Sequence, residues 1–243
     1  MHSKTRYMDR RASAGVAPPQ TPAASKAKCR AFTLVELLTV IIIIGLLAGI
    51  LLPTITSAIK TGYTTKTLAQ RESLQDGAQH YKQDHWGIYP GQDHISILGS
   101  GAEQVTGSQI LAACVYGYDD DLAKINQEDP DPTGKYSPYK QEYLVTLNDK
   151  KNTLSDLFPK GREMAFLYFP SRKVADTAAI DAQYKFTDND AYVDDSQAGK
   201  DDFDDFIKDD RFGGKPHKDG QFLLIAAGVD RKFFTADDIK NWN

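Results

Sequence analysis

From Phe32 to Leu52 the chain runs through 21 residues that carry a single charge, Glu36. Wound as a helix rising about 1.5 Å per residue, that run covers about 30 Å, the thickness of a bilayer's hydrocarbon core. It is apolar on every side for more than five turns. A buried core helix is the alternative, and an apolar belt of that length argues against it. The run therefore predicts a membrane-crossing helix, and it is the only long one: a mean hydropathy of -0.46 excludes a polytopic membrane protein.

The charge divides around this run. Residues 1–31 hold seven basic side chains (Lys4, Arg6, Arg10, Arg11, Lys26, Lys28, Arg30) against Asp9, a net of +6. The remainder holds 22 basic and 32 acidic residues, a net of -10, so the overall -4 hides a basic head on an acidic body. By the positive-inside rule the head stays cytoplasmic and the body lies outside. The stretch between Arg11 and Lys26 is small and Pro-rich, a composition that does not build a packed core.

Glu36 sits near the start of the apolar run, where the helix N-terminal partial charge favours an anion. Thr33-Leu34-Val35-Glu36 fits a capping box, in which hydroxyl and carboxylate satisfy backbone donors reciprocally. A cut between Ala31 and Phe32 would add a second partner. The new amine on Phe32 would lie four residues before Glu36, on the same helix face, and could neutralise it within one chain or between neighbours.

Lys28-Cys29-Arg30-Ala31-Phe32-Thr33-Leu34-Val35-Glu36-Leu37-Leu38 resembles the class III signal of type IV pilins and type II secretion pseudopilins. The resemblance implies that prepilin peptidase removes the leader 1–31 and methylates Phe32, and that Glu36 serves in assembly. It further implies that the helix holds subunits in the inner membrane until they enter a filament. Pro53 matches a Pro common in the family, and its missing N–H weakens the helix there. The sequence departs from the pattern at Ala31, where Gly is usual, and in its long leader. A conventional secretory signal competes for the same residues, with Leu37–Leu52 as its core and Thr56-Ser57-Ala58 as its cleavage site.

Beyond Pro53 the pattern turns amphipathic over 53–88. Ile55, Ile59 and Tyr63 are spaced by four, and Leu74, Ala78, Tyr81 and His85 by four, three and four. A helix from Phe32 to about His85 is expected, closed by Trp86-Gly87-Ile88-Tyr89-Pro90-Gly91. The head, 89–243, should begin with a short helix over Gly107–Tyr116. Strands are expected at Tyr143–Leu147, Ala165–Phe169 and Phe222–Ala226. Residues 126–138 read as a loop. Residues 188–220 read as an acidic loop in which Phe203, Phe206 and Ile207 form one short apolar helix face. One long helix followed by strands indicates α+β; with the resemblance, this is a pilin-like fold whose helix packs on a C-terminal antiparallel sheet.

In Ala227–Ile239, three carboxylates fall within nine residues after a strand: Asp230, Asp237 and Asp238. Oxygen-rich loops of this kind suit calcium, which takes about six to eight oxygen ligands. The segment is similar to the C-terminal loop of major pseudopilins, and the resemblance implies Ca2+ on Asp230 and Asp237, with Asp238 as a third ligand. Arg231 and Phe234 stand where related sequences tend to have Gly. Asp188-Asn189-Asp190 lacks the Gly and Glu of an EF-hand.

Nothing in the sequence points to an enzyme. There is no phosphate loop and no nucleophile elbow, and His80, His85, His94 and His217 show no metal spacing. Cys114 is the only cysteine left after processing and reads as a small buried hydrophobe. A body at -10 does not favour nucleic acid. The expected function is a filament subunit, most simply a type II secretion pseudopilin. Its partners would be prepilin peptidase, further copies of itself, minor pseudopilins, the inner-membrane assembly platform and membrane lipid. The alternatives are a type IV pilin for adhesion, motility or DNA uptake, and a membrane-tethered binding domain or enzyme that never polymerises.

Overall fold

In the computed structural model, the residues described are 32–99, 101, 104–117, 125, 133–138, 140–158, 161–172, 183–194 and 196–242. The leader 1–31, including Ala31, lies outside them, as does most of the expected loop 126–138. The chain divides into two compact units, Met1–Ile50 and Leu51–Asn243. Helix α1, Leu34–Asp84, runs through the boundary.

Within the first unit the described residues are the start of α1. Its side chains stand clear of any core: in the 18-residue window of highest hydropathy none is buried. Thr39, a β-branched polar residue in this apolar stretch, folds its hydroxyl back onto the carbonyls of Val35 and Glu36.

The second unit is α+β. The remainder of α1 buries Thr67, Gln70, Leu74, Gly77, Ala78 and Tyr81, a single stripe at helical spacing. Ile55 and Ile59 do not join it and are about half exposed, so the core-facing stripe starts later than the periodicity suggests. His85 stacks on Tyr81 at 3.7 Å. The helix ends where Trp86 and Gly87 turn to positive φ and Gly87 N–H reaches back to the Lys82 carbonyl.

Helix α2, Gly107–Tyr116, is buried at every residue. Thr106 and Gln109 form its capping box, and Gly117 at φ 75 closes it. Gly107 is required by space, since a Cβ there would lie 1.8 Å from the Tyr168 carbonyl oxygen.

Strands β1, Leu144–Leu147, and β2, Lys150–Leu154, form a hairpin over Asn148-Asp149, both at positive φ as a tight two-residue turn demands. An isolated bridge, Ser155 to Ala165, leads from β2 towards β3, Leu167–Pro170. Helix α3, Gln197–Ile207, follows, capped by Ser196. A short ribbon of β4, Lys208–Asp209, and β5, Lys215–Pro216, comes next. β6, Phe222–Ala226, pairs antiparallel with β3 on one side and with β7, Ile239–Lys240, on the other. Every strand pair is antiparallel. The fold class is thus the expected long helix with a C-terminal antiparallel sheet.

One layer exceeds that expectation. Alternate residues of β3 and β6 serve two separate cores. Tyr168, Phe222, Leu224 and Ala226 meet Leu74 and Ala78 of α1 and Leu111, Ala112 and Val115 of α2. Leu167, Phe169, Leu223 and Ile225 meet Phe203 and Ile207 of α3, with Tyr184, Phe186 and Trp242. The acidic segment 188–220, expected as a loop, supplies that second cover. The reason is the apolar face of α3: Phe203 is fully buried and Phe206 packs beside it, while the aspartates face outward. A strand covered on both faces reads as a continuous apolar run, which is what Phe222–Ala226 shows.

Candidate functional site

Two of the expected sites can be built from the described residues. At the start of α1, Thr33 is the N-cap of an uncovered apolar helix. Its backbone N–H and its hydroxyl both donate to Glu36 Oε2, at 3.0 and 2.8 Å, and Glu36 N–H donates back to Thr33 Oγ1 at 3.2 Å. The reciprocal capping box is formed, so the only carboxylate of the apolar surface is held against its own backbone. Phe32, one turn away, is exposed. A helix so placed offers one polar feature, at a fixed axial position, to whatever covers it.

At the C-terminal end, β6 runs into a loop that closes on β7. Gly228 packs against Asp237 so closely that a Cβ would meet the carboxyl group at 2.4 Å. Asp237 Oδ2 accepts from Asp230 N–H at 3.1 Å and Oδ1 from the Thr235 hydroxyl at 2.8 Å. Burial pushes Asp237 up, but these hydrogen bonds outweigh it and hold the carboxyl below its usual range. Asp230 accepts from Lys232 N–H at 2.9 Å.

Asp238 is used differently. It is buried, and its two oxygens take the amides of Gly228, Phe234 and Thr235. Burial still pushes its carboxyl up to about 6. Its oxygens are thus committed to the loop's own backbone. Asp230 and Asp237 are joined through the Asp230 amide, and they too accept hydrogen bonds from groups of their own loop. Among the described residues no group of three or more His, Cys, Asp or Glu side chains is placed to hold a metal. A hard cation here would therefore take most of its oxygens from loop carbonyls.

Arg231 and Phe234 sit at φ 61 and 64, the left-handed region in which Gly is unstrained. The loop thus keeps a backbone suited to Gly while carrying two large side chains. Each has found work elsewhere. Phe234 packs on Phe203 and Phe206. Arg231 swings away from the aspartates of its own loop. It pairs with the fully buried carboxylate of Asp156, donates to the Arg162 carbonyl and lies 4.1 Å from the centre of the Phe158 ring. Asp156 is pushed up by burial and partly restored by Arg231. The sequence gives no sign of this pair, because 75 residues separate its members.

Elsewhere, Cys114 is buried and forms no disulfide among the described residues. His217 stacks on Trp242 and faces Asp209, which Arg211 also pairs. Asp188 is held by Arg172 through two short hydrogen bonds, which takes it out of any cation site.

The family model for the prokaryotic N-terminal methylation motif matches residues 26–52. No curated protein and no solved structure matches the chain. The motif supports a pilin-like prepilin-peptidase substrate. The apolar helix that follows fits anchoring in the inner membrane.

Proposed function

We propose that this chain is a pilin-like filament subunit of the pseudopilus of a type II secretion system. Prepilin peptidase cuts between Ala31 and Phe32 and methylates the Phe32 amine. The basic leader stays in the cytoplasm and the acidic head stands outside the membrane. The observation that carries this reading is the uncovered apolar surface of α1, opened by a self-capped Glu36 inside the matched motif. Such a surface needs lipid before assembly and other copies of itself after it, together with minor pseudopilins and the inner-membrane assembly platform. The role is mechanical rather than catalytic: helices stack, the Phe32 amine of one copy neutralises Glu36 of another, and the growing filament moves cargo. A carboxylate inside an apolar helix stack costs roughly 2.5–3.5 kcal/mol at its deepest, so pairing selects one axial register.

For the C-terminal loop we propose calcium on Asp230 and Asp237 with loop carbonyls, while Asp238 fixes the backbone around them. Mass spectrometry of the membrane-extracted protein should find N-methyl-Phe32 at its terminus. An intact Met1, or a start at Ile59, sinks the assignment. Crosslinked multimers should be lost in Glu36→Val. Melting with chelator against excess calcium tests the cation, and superimposable curves would remove it.

A further inference from the structure

The loop 227–238, between β6 and β7, carries two large residues in the left-handed region, Arg231 and Phe234. A residue with a Cβ is disfavoured there, and such backbone persists only where surrounding contacts fix it. Both side chains supply those contacts outside the loop.

Arg231 reaches the segment after β2. One guanidinium nitrogen donates to Asp156 Oδ2, the other to the Arg162 carbonyl, and the group lies 4.1 Å from the centre of the Phe158 ring. Asp156 is itself fixed. Its N–H donates to the Met164 carbonyl at 3.0 Å, its Oδ1 accepts from Met164 N–H at 3.2 Å, and it follows directly on the Ser155–Ala165 bridge. Its carboxylate is fully buried, so letting go of Arg231 would strand a charge. Phe234 reaches the other way, onto Phe203 and Phe206 of α3, with ring centres 5.4 and 5.7 Å apart.

Only Lys232 and Phe233 separate these two anchors, so fixing both fixes the backbone between them. Asp230 directly precedes the first anchor, and its N–H already donates to Asp237 Oδ2. Many metal sites are ordered by the ion itself, which then offsets the ordering cost out of its own binding. A loop ordered beforehand leaves that cost out of the binding step.

We infer that Arg231 is an internal cation that, through Asp156, holds this loop in its cation-binding shape before any metal arrives, a role that rests on the calcium reading of the loop. Arg231 is a positioning residue and not a ligand. Calcium meets a loop already built, and the C-terminal edge of the sheet stays closed when calcium is scarce.

The test follows amide hydrogen exchange by mass spectrometry, on the full chain in detergent micelles, in EGTA and then in excess calcium. Peptides covering 228–238 report the loop, and peptides covering β3 report wider unfolding. In EGTA the Arg231→Gly loop should exchange about tenfold faster than wild type or more, with β3 unchanged. Calcium should slow it again. Asp156→Asn, which leaves the loop's own sequence intact, should also speed the loop in EGTA. A wild-type loop that exchanges like an unfolded chain in EGTA would overturn the inference, and so would equal loop exchange in wild type and both variants. If either variant loses protection at β3 too, Arg231→Lys gives the milder comparison: its loop should exchange faster than wild type, and an unchanged rate would overturn the inference. If calcium slows exchange in none of these proteins, the calcium reading falls, and the anchor is judged on the EGTA arms alone.

Discussion

Removing the Arg231 side chain should be the most costly surface-loop change in the head. The guanidinium is 18% exposed and the Asp156 side chain is fully buried. Without Arg231, the carboxylate keeps the Met164 amide, at 3.2 Å, and no opposite charge in contact. Breaking one side of a buried pair costs about 3–5 kcal/mol, chiefly through the stranded charge. For a chain of this size that is about 6–20 °C of melting temperature. Two refinements make the expectation specific. Arg231→Gly should lose less than Arg231→Ala, by about 1 kcal/mol, because Gly relieves the left-handed backbone at φ 61. The second refinement is pH. Asp156 is already pushed up by burial, and Arg231 is what draws it back. A carboxyl raised in the folded state contributes stability below its unfolded pKa and loses it as pH rises through the folded value. Loss of Arg231 raises Asp156 further, so the gap between wild type and Arg231→Ala should widen from pH 5 to pH 8. Thermal melts of the full chain in micelles, followed by circular dichroism, measure all three. A variant within 1 kcal/mol of wild type at pH 8, or a gap that narrows as pH rises, would refute the reasoning.

Asp238 gives a second pH test. Raised to about 6 by burial, it favours the folded loop at pH 4 and progressively less as pH climbs to and through 6. His217, lowered by burial, runs the opposite way in the same window, so the informative quantity is the difference between wild type and Asp238→Asn. That difference should change with pH, and identical slopes would count against the buried carboxyl. Glycine replacements separate contact from propensity. Gly107→Ala should cost about 3 kcal/mol or more in urea melts, because its Cβ has no room beside Tyr168. Gly62→Ala, on a helix with nothing within 4 Å, should gain about 0.5–1 kcal/mol.

The readable and the hidden parts of this molecule differ by the distance over which their causes act. α1, α2 and β6 followed from short-range signals: an unbroken apolar run, a short stretch of small and apolar residues over Gly107–Tyr116, and five apolar residues in a row. β2 was missed, because Lys150-Lys151-Asn152 looks like solvent-facing loop. Its strand depends on the two-residue turn before it and on Leu154 packing into the core. The segment 188–220 was read as an acidic loop with one short apolar helix face at Phe203, Phe206 and Ile207, and the sequence did not show that this face covers the second side of β3 and β6.

The same division holds for the sites. Sequence alone determined the Thr33–Glu36 capping box and the uncovered helix, since both are set within a turn or by composition along one segment. It also determined which residues of the C-terminal loop carry carboxylates. Only the tertiary structure decided what those carboxylates do. Asp238 turns onto backbone amides of its own loop, while Arg231 leaves that loop to neutralise Asp156 across the fold. Side-chain chemistry is written in the residue, but a buried charge takes as partner whatever group the packing brings within reach, and packing is a property of the whole chain.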